Sequence, residues 1–400
     1  MDFELNEQQL AFQRAARDFA RDEIAPRAAE WDAQAIFPRD TLRHAGELGF
    51  CGLYAPECAG GLGLPRLDAT IVLEELAAAC PSTTAFLSIH NMATWMVCSQ
   101  GSPELVRRFG PSLCSGERLA SYCLTEPGAG SDAASLRTTA RRVGTGTGTG
   151  NADADADGDA YVIDGTKAFI SGAGSTDVLV VMARTGGAGA DGISAFLVPG
   201  DAPGIQYGRK EEKMGWNSQP TRAIAFDGVR VPASHRLGEE GQGFRIAMQG
   251  LDGGRINIAT CSVGAAQGAL AAAQRYMHER RQFGRALADM QVLQFKLADM
   301  ATELVSARQM VRLAAAKLDA KSPDAQVYCA MAKRLATDIG FSVCNEALQI
   351  HGGYGYIREY PLERYLRDAR VHQILEGTNE IMRVIVARRM LQDQAPEAIR

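Results

Sequence analysis

The chain changes its hydrophobic period twice. In the first third, apolar residues recur every three or four positions, as on one face of a helix. Asn6 with Gln9 three positions on reads as a capping box, and Phe12, Ala15 and Phe19 then share a face. Residues 67–79 and 83–98 are further apolar helical stretches, broken by Pro81. From about Leu119 the period shortens. Residues 161–170 read as a hairpin about the Asp164-Gly165 dipeptide, and residues 178–182, 193–198 and 223–226 as short strands between glycine-rich turns. From Gly243 helix returns: Leu293, Leu297, Met300, Leu304, Ala307 and Val311 hold helical spacing over five turns. The expected fold class is therefore α+β, mainly α. It has an N-terminal helical domain over 1–118, a middle β-domain over 119–235 and a C-terminal helical domain over 236–400.

Composition narrows the function. Hydrophobic content of 46% and charged content of 22% are ordinary for a globular protein. The net charge of −5 comes without a basic stripe, which argues against nucleic acid as a partner. No run of about 18 uncharged apolar residues is evident, so no membrane insertion is expected. The acidic start, Met1-Asp2-Phe3-Glu4, passes at once into a helical pattern, unlike a secretory or transit peptide. Nine cysteines without a Cys-x-x-Cys pair fit buried thiols of a reducing compartment, so a cytoplasmic location is expected. Residues 144–159 alternate Gly with Thr and then Ala with Asp, and read as an exposed low-complexity loop.

Several motifs are ruled out on context. The glycines of 187–192 match a dinucleotide fingerprint by letters, but a strand follows where a helix is required, so they form a hairpin turn. There is no phosphate loop and no nucleophile elbow. The six histidines lack metal-ligand spacing, and no metal site is expected.

Two segments carry candidate chemistry. Glu376 follows Ile374 and Leu375 and precedes Gly377. A carboxylate delivered from an apolar stretch onto a glycine is well placed to be desolvated, which strengthens it as a base. The second segment, Tyr122-Cys123-Leu124-Thr125-Glu126-Pro127-Gly128-Ala129-Gly130-Ser131-Asp132, is a strand end running into a loop. Its glycines let the backbone approach a ligand.

That second string resembles the flavin-contacting signature of the acyl-CoA dehydrogenases. So do Phe169-Ile170-Ser171, Gln349-Ile350-His351-Gly352-Gly353-Tyr354-Gly355 and Glu376-Gly377-Thr378, in the family's order. The resemblance runs from about Leu5 to Leu391. It implies a C-terminal four-helix bundle, FAD as cofactor, an acyl-CoA substrate, electron transfer flavoprotein as the electron-accepting partner, and a homotetramer. Glu376 would be the base that removes the α-proton, with burial raising it to roughly 6–7. Tyr122, Cys123, Leu124, Thr125, Gly130, Ser131, Phe169, Ile170 and Ser171 would hold the isoalloxazine. Arg280, Phe283, Met290, Gln291, Gln349, Ile350, His351, Gly352 and Gly353 would complete the nucleotide site, some from a neighbouring subunit, and Thr378, Asn379 and Glu380 would also touch FAD. By the same resemblance, Ser131, Asp252, Gly253, Gly254, Arg255 and Arg388 would belong to the substrate side. Relatives that take their base from the other helix carry glutamate where this chain has Gly254, which leaves Glu376. Phe169 stands where many relatives carry Trp.

Within the family, residues 215–222 and 253–259 look most like the subgroup that takes isobutyryl-CoA to methacrylyl-CoA in valine catabolism. The expected substrate is a short branched acyl-CoA, with 2-methylbutyryl-CoA or a short straight chain as alternatives. An oxidase of the same fold and a non-catalytic relative are the competing functions. The oxidases usually carry extra C-terminal helices, and the non-catalytic relatives have eroded sites.

Overall fold

The computed structural model describes residues 4–144 and 159–393; the low-complexity loop expected over 144–159 lies almost wholly outside them. The first helix, α1 (Glu7–Phe19), opens with the expected capping box: the Gln9 N–H donates to Asn6 Oδ1 at 2.9 Å and the Asn6 N–H to Gln9 Oε1 at 3.1 Å. Its inward residues are Ala16 and Phe19; Ala15 is exposed. A π turn over Ala20–Ile24 carries Ala20 and Ile24 inward after them. Then come α2 (Ala28–Gln34), α3 (Arg39–Glu47), α4 (Arg66–Ala79), α5 (Pro81–Gln100) and α6 (Pro103–Cys114). Cys80 is extended between α4 and α5, and Pro81 takes the first helical position, where its missing N–H costs nothing.

The middle domain contains β1 (Ala120–Cys123), β2 (Thr139–Val143), β3 (Ala160–Ser171), β4 (Val178–Arg184), β5 (Ile193–Pro199), β6 (Ile205–Tyr207), β7 (Thr221–Pro232) and β8 (Arg236–Leu237). The sheet order is β6-β7-β3-β2-β4-β5-β8, with β1 paired in parallel to β4. The expected Asp-Gly hairpin is not one. β3 runs straight through Asp164-Gly165 along β7, and the dipeptide sits at a register shift with Gly165 at φ +149°. Asp164 Oδ1 accepts the Gly228 N–H at 2.7 Å, so the aspartate's turn-forming oxygen serves the neighbouring strand instead. A second shift, between Lys167 and Ile170, puts Phe169 at φ +57° and turns its ring outward, 71% exposed. The glycines of 187–192 do connect antiparallel β4 and β5.

The C-terminal domain holds α7 (Gly243–Glu279), the small ribbon β9 (Arg281–Gln282) and β10 (Arg285–Ala286), α8 (Gln291–Asp319), α9 (Ala325–His351), α10 (Gly353–Tyr356), α11 (Leu362–His372) and α12 (Asn379–Asp393). Its largest core joins α7, α8, α9 and α11. A Cβ on Gly264 or Gly268 would stand 2.4 Å from a carbonyl oxygen of α4 (Glu74 or Ala78), so these glycines let α4 and α7 touch backbone to backbone. By length and composition α7 could cross a membrane, but most of it is buried as the central helix of the protein.

The link before β7 ties the domains together behind α11. The Trp216 N–H donates to Asp368 Oδ1 at 2.6 Å and its indole N–H to His372 Nε2 at 3.1 Å. Ser218 Oγ donates to Ser82 Oγ of α5 at 2.6 Å. This clasp fixes the end of α11, four residues before Glu376.

Candidate active site

Glu376 lies in the link between α11 and α12 at φ +54°, a left-handed conformation unusual for a residue with a side chain. Its Oε2 is buried and has no hydrogen-bond partner. The carboxylate faces α7: a Cβ built on Gly254 would stand 2.4 Å from Oε2 and 3.0 Å from Met92 Sδ. Cys261, two turns further along α7, also feels the Glu376 charge. Burial pushes the Glu376 carboxyl up to about 7, against the opposing pull of Lys333 and Arg255. A carboxyl with that value is poised to exchange a proton near neutrality.

Asp252 and Arg255 are one turn apart on α7 and bind each other at 2.7 Å, with Arg255 Nε left over as a buried, unpartnered donor. Burial raises Asp252, and Arg255 opposes it. Asp252 is thus a paired carboxylate, whereas Glu376 carries a free oxygen. Gly253 faces elsewhere: its Cβ would meet Arg66 Nη1, from a guanidinium lying 3.4 Å over the Tyr54 ring. Arg388 is exposed on α12, and no hydrogen bond or ion pair ties it to the Glu376 group.

The flavin-signature loop starts at the same place. The Tyr122 hydroxyl is buried without a partner, and burial, then the Glu376 charge, raise its pKa. Gly128 and Gly130 have open space where a side chain would stand, and Ser131 is exposed. Thr125 is half-buried, and its carbonyl accepts the Ala168 N–H at 2.9 Å, which holds the loop against β3 beside Phe169. Buried, unpartnered oxygens, an open glycine cradle and an outward aromatic ring fit a planar heteroaromatic group such as an isoalloxazine. Cys123 and Ile170 are packed in the β-domain core and Leu124 in an adjoining one, so only their backbones are free to serve the site. Ser171 is half-buried, with its carbonyl accepting from Ser121 Oγ at 2.6 Å.

The remaining cofactor candidates gather elsewhere. A cavity of about 530 Å³ is lined by Arg280, Ile350, His351, Gly352, Gly353 and Tyr354, among others, and by no residue of the 122–131 loop. Tyr276 stacks on His351 at 4.2 Å, and the Arg280 guanidinium lies over Tyr354 at 5.5 Å. Gly352 and Gly353 are open where a Cβ would stand. A cation beside bare glycine backbone and aromatic faces suits the phosphate and purine parts of a dinucleotide. Phe283, at the tip of the β9–β10 ribbon, is 95% exposed; Gln291 and Gln349 are exposed and Met290 is half-buried against the bundle core.

The link after Glu376 departs from expectation at one residue. Thr378 Oγ1 accepts the Ile381 N–H at 3.3 Å and Glu380 is exposed, but the Asn379 side chain turns into α9. Its amide donates to Asp338 Oδ1 at 2.7 Å and to Thr337 Oγ1 at 2.9 Å, and its Oδ1 accepts from Lys333 at 2.9 Å. Asn379 is a clasp rather than a side-chain contact to a cofactor. Lys333 and the Lys167–Glu126 pair were missed in the sequence. Lys333 was detectable from spacing alone, since Cys329, Ala332, Lys333, Ala336, Thr337 and Gly340 form one buried face of α9. Lys167, buried, reaches Glu126 Oε1 at 2.8 Å and the Leu124 carbonyl at 3.0 Å, and Glu126 accepts the Arg137 and Thr138 N–H groups. That network shapes the 122–131 loop. Among the described residues no cluster of His, Cys, Asp and Glu could hold a metal ion.

Comparison with known proteins identifies the family and the fold. Residues 6–117, 121–229 and 241–391 match the descriptions "Acyl-CoA dehydrogenase, N-terminal domain", "middle domain" and "C-terminal domain". The chain is 52% identical over 389 residues to a mitochondrial isobutyryl-CoA dehydrogenase of Bos taurus, covering 97% of this chain and 90% of the relative. It is 53% identical to the isobutyryl-CoA dehydrogenase of Dictyostelium discoideum, with the same coverage. The solved butyryl-CoA dehydrogenase of Megasphaera elsdenii superposes with a TM-score of 0.90 at 38% identity, covering 98% of this chain and 100% of that one.

Proposed function

The chain belongs to the acyl-CoA dehydrogenase family, a flavin-dependent family of oxidoreductases, and we propose that it desaturates isobutyryl-CoA to methacrylyl-CoA with FAD as its flavin. The observation that carries the chemistry is the Glu376 carboxylate, with one buried free oxygen turned toward Gly254 and a pKa of about 7.

The reaction needs an α-proton removed from a weakly acidic thioester. Glu376 takes that proton on Oε2, and its burial keeps water from competing for the base. Desolvation raises the basicity of the carboxylate, while Lys333 and Arg255 keep enough of it ionised at neutral pH. FAD, when bound, supplies the acceptor for the hydride that leaves the β-carbon. The 122–131 loop and Phe169 would hold its isoalloxazine, and the cavity at Arg280 and Gly353 its nucleotide end. Asp252 neutralises Arg255 and so fixes that guanidinium on the substrate side of α7.

The small branched acyl group is supported by the two relatives at 52% and 53% identity, in line with the subgroup resemblance of residues 215–222 and 253–259. Electron transfer flavoprotein is the proposed acceptor of the electrons. A tetramer built as a dimer of dimers is the proposed assembly, as the family resemblance implies; the cavity at Arg280 and Gly353 shares no lining residue with the 122–131 loop, which leaves room for a neighbouring copy to contribute. Steady-state turnover on a panel of short acyl-CoAs with an artificial acceptor tests the substrate. Isobutyryl-CoA is expected to have the highest kcat/KM, with neighbours separated by about 1–3 kcal/mol per methylene. A clear preference for octanoyl-CoA or longer chains would overturn the assignment.

A further inference from the structure

Lys333 sits in the middle of α9 with its side chain wholly buried, among Cys329, Ala330, Ala332, Ala336 and Thr337. An ammonium in such a place is costly unless its protons are used. Two of them are. Nζ donates to the Gly377 carbonyl at 2.8 Å and to Asn379 Oδ1 at 2.9 Å, the first and third residues after Glu376. The first bond grips the backbone next to the left-handed Glu376, and the second grips the residue at which α12 begins. The link is also held without Lys333, because Asn379 still donates to Asp338 and Thr337. The lysine is therefore not needed merely to close the link.

We infer that Lys333 is a positioning residue for the Glu376 base: its buried ammonium pins the backbone that presents the carboxylate and supplies the positive potential in which that carboxylate ionises. This rests on Glu376 being the base. Other ionisable groups surround the pair. Tyr54 of the loop before α4, Tyr122 of β1, and Arg255 and Cys261 of α7 act on Glu376 or feel it; Arg255, Asp338, Glu380 and His372 interact with Lys333. Of these, only Lys333 and Arg255 favour the carboxylate form of Glu376, and Arg255 already has Asp252 as a partner. Removing Lys333 takes away the larger of the two charges that favour the carboxylate, and the one without a salt bridge of its own among the described residues. Burial itself pulls Lys333 down to about 8, while Glu376 is the first of the charges that oppose this.

The test compares Lys333→Met, Lys333→Gln and Lys333→Arg with the parent holoenzyme by anaerobic flavin reduction with isobutyryl-CoA across pH. A base works only when deprotonated, and loss of a nearby cation raises a carboxyl pKa, so the acid limb must move to higher pH. The Met and Gln variants are expected to shift that limb upward by about one pH unit, with roughly tenfold slower reduction below it and recovery toward alkaline pH. Lys333→Arg, which keeps the charge, is expected to retain the parent limb. The infrared band of the protonated Glu376 carboxyl, isolated by subtracting Glu376→Gln, should titrate upward in step, a readout independent of turnover. If Lys333→Met loses its flavin, Lys333→Gln carries the same comparison, since its amide can still donate to the Gly377 carbonyl. A limb and an infrared titration that coincide with the parent, or a rate loss equal at every pH, would overturn the inference. Substantial flavin reduction by Glu376→Gln in the same series would instead refute the base assignment beneath it.

Discussion

Gly254 and Glu376 share one space. A Cβ on Gly254 would lie 2.4 Å from the Glu376 Oε2, closer than a Cβ approaches a non-bonded oxygen, so one of the two would have to shift. Glycine at 254 thus leaves the Glu376 carboxylate room to rest against α7, and a side chain there would push its terminal oxygen aside. Gly254→Ala should displace the carboxylate and slow flavin reduction by one to two orders of magnitude, about 1.4–2.8 kcal/mol in barrier, while FAD content stays near the parent's. Stopped-flow bleaching checks this. An unaltered rate would mean the carboxylate does not rest against α7. Gly254→Glu alone should be worse, because it adds charge as well as bulk, whereas Gly254→Glu with Glu376→Gly should recover part of the rate by moving the base across.

The raised Glu376 pKa also predicts a stability effect with a definite sign. Its folded value of about 7 lies above the ordinary 4.5, so the folded state binds this proton more tightly than the unfolded chain does. The favourable contribution is fully present below about pH 4.5 and is lost as pH rises through 7. Glu376→Gln removes the dependence. Above pH 8 the variant should be more stable than the parent by up to about 3 kcal/mol, and near pH 5 the advantage should have largely gone. Thermal unfolding at the two pH values measures it; equal differences at both would contradict the burial of an ionising carboxyl.

The Lys167–Glu126 pair predicts a loop defect. Lys167 is 0% exposed and Glu126 7% exposed, so Lys167→Met leaves a buried carboxylate without its cation. Breaking such a pair costs about 3–5 kcal/mol, and the 122–131 loop it braces should loosen. The variant is expected to purify with less bound flavin and a lower Tm. Full flavin content with an unchanged Tm would show that the loop is held by Arg137 and Thr138 alone.

The middle of the chain shows how far sequence reaches. The order helix, sheet, helix was legible because period and length agree over many residues, as in α8. The Asp164-Gly165 turn was misread because a hairpin and a bulge use the same local chemistry, and the choice depends on β7, some 60 residues away. Glu376 could be singled out by its apolar approach and its glycine. Its free oxygen, its left-handed backbone and its Lys333 partner 43 residues earlier come only from tertiary packing. For α7 the sequence shows only that helix returns after Gly243; the fold is what distinguishes a core helix from a membrane span of similar composition.

Separate cofactor groups in one chain predict assembly-dependent flavin binding. Phe283, exposed on its ribbon, and Arg280 beside the cavity should serve a flavin shared with a neighbouring copy. Arg280→Ala and Phe283→Ala should release FAD on dilution at higher protein concentrations than the parent, in parallel with loss of the oligomer. Sedimentation with detection at flavin wavelengths follows both; a monomer that keeps stoichiometric FAD would contradict a shared site.

The most direct measurement is anaerobic flavin bleaching by isobutyryl-CoA in Glu376→Gln. Glutamine keeps the size of the side chain and removes its basic oxygen, and no second unpaired carboxylate faces Gly254 among the described residues. FAD and acyl-CoA should bind near normally, and bleaching should slow by on the order of 10²–10⁴-fold or more. Bleaching at close to the parent rate would contradict Glu376 as the base and direct attention to Asp252, freed from Arg255.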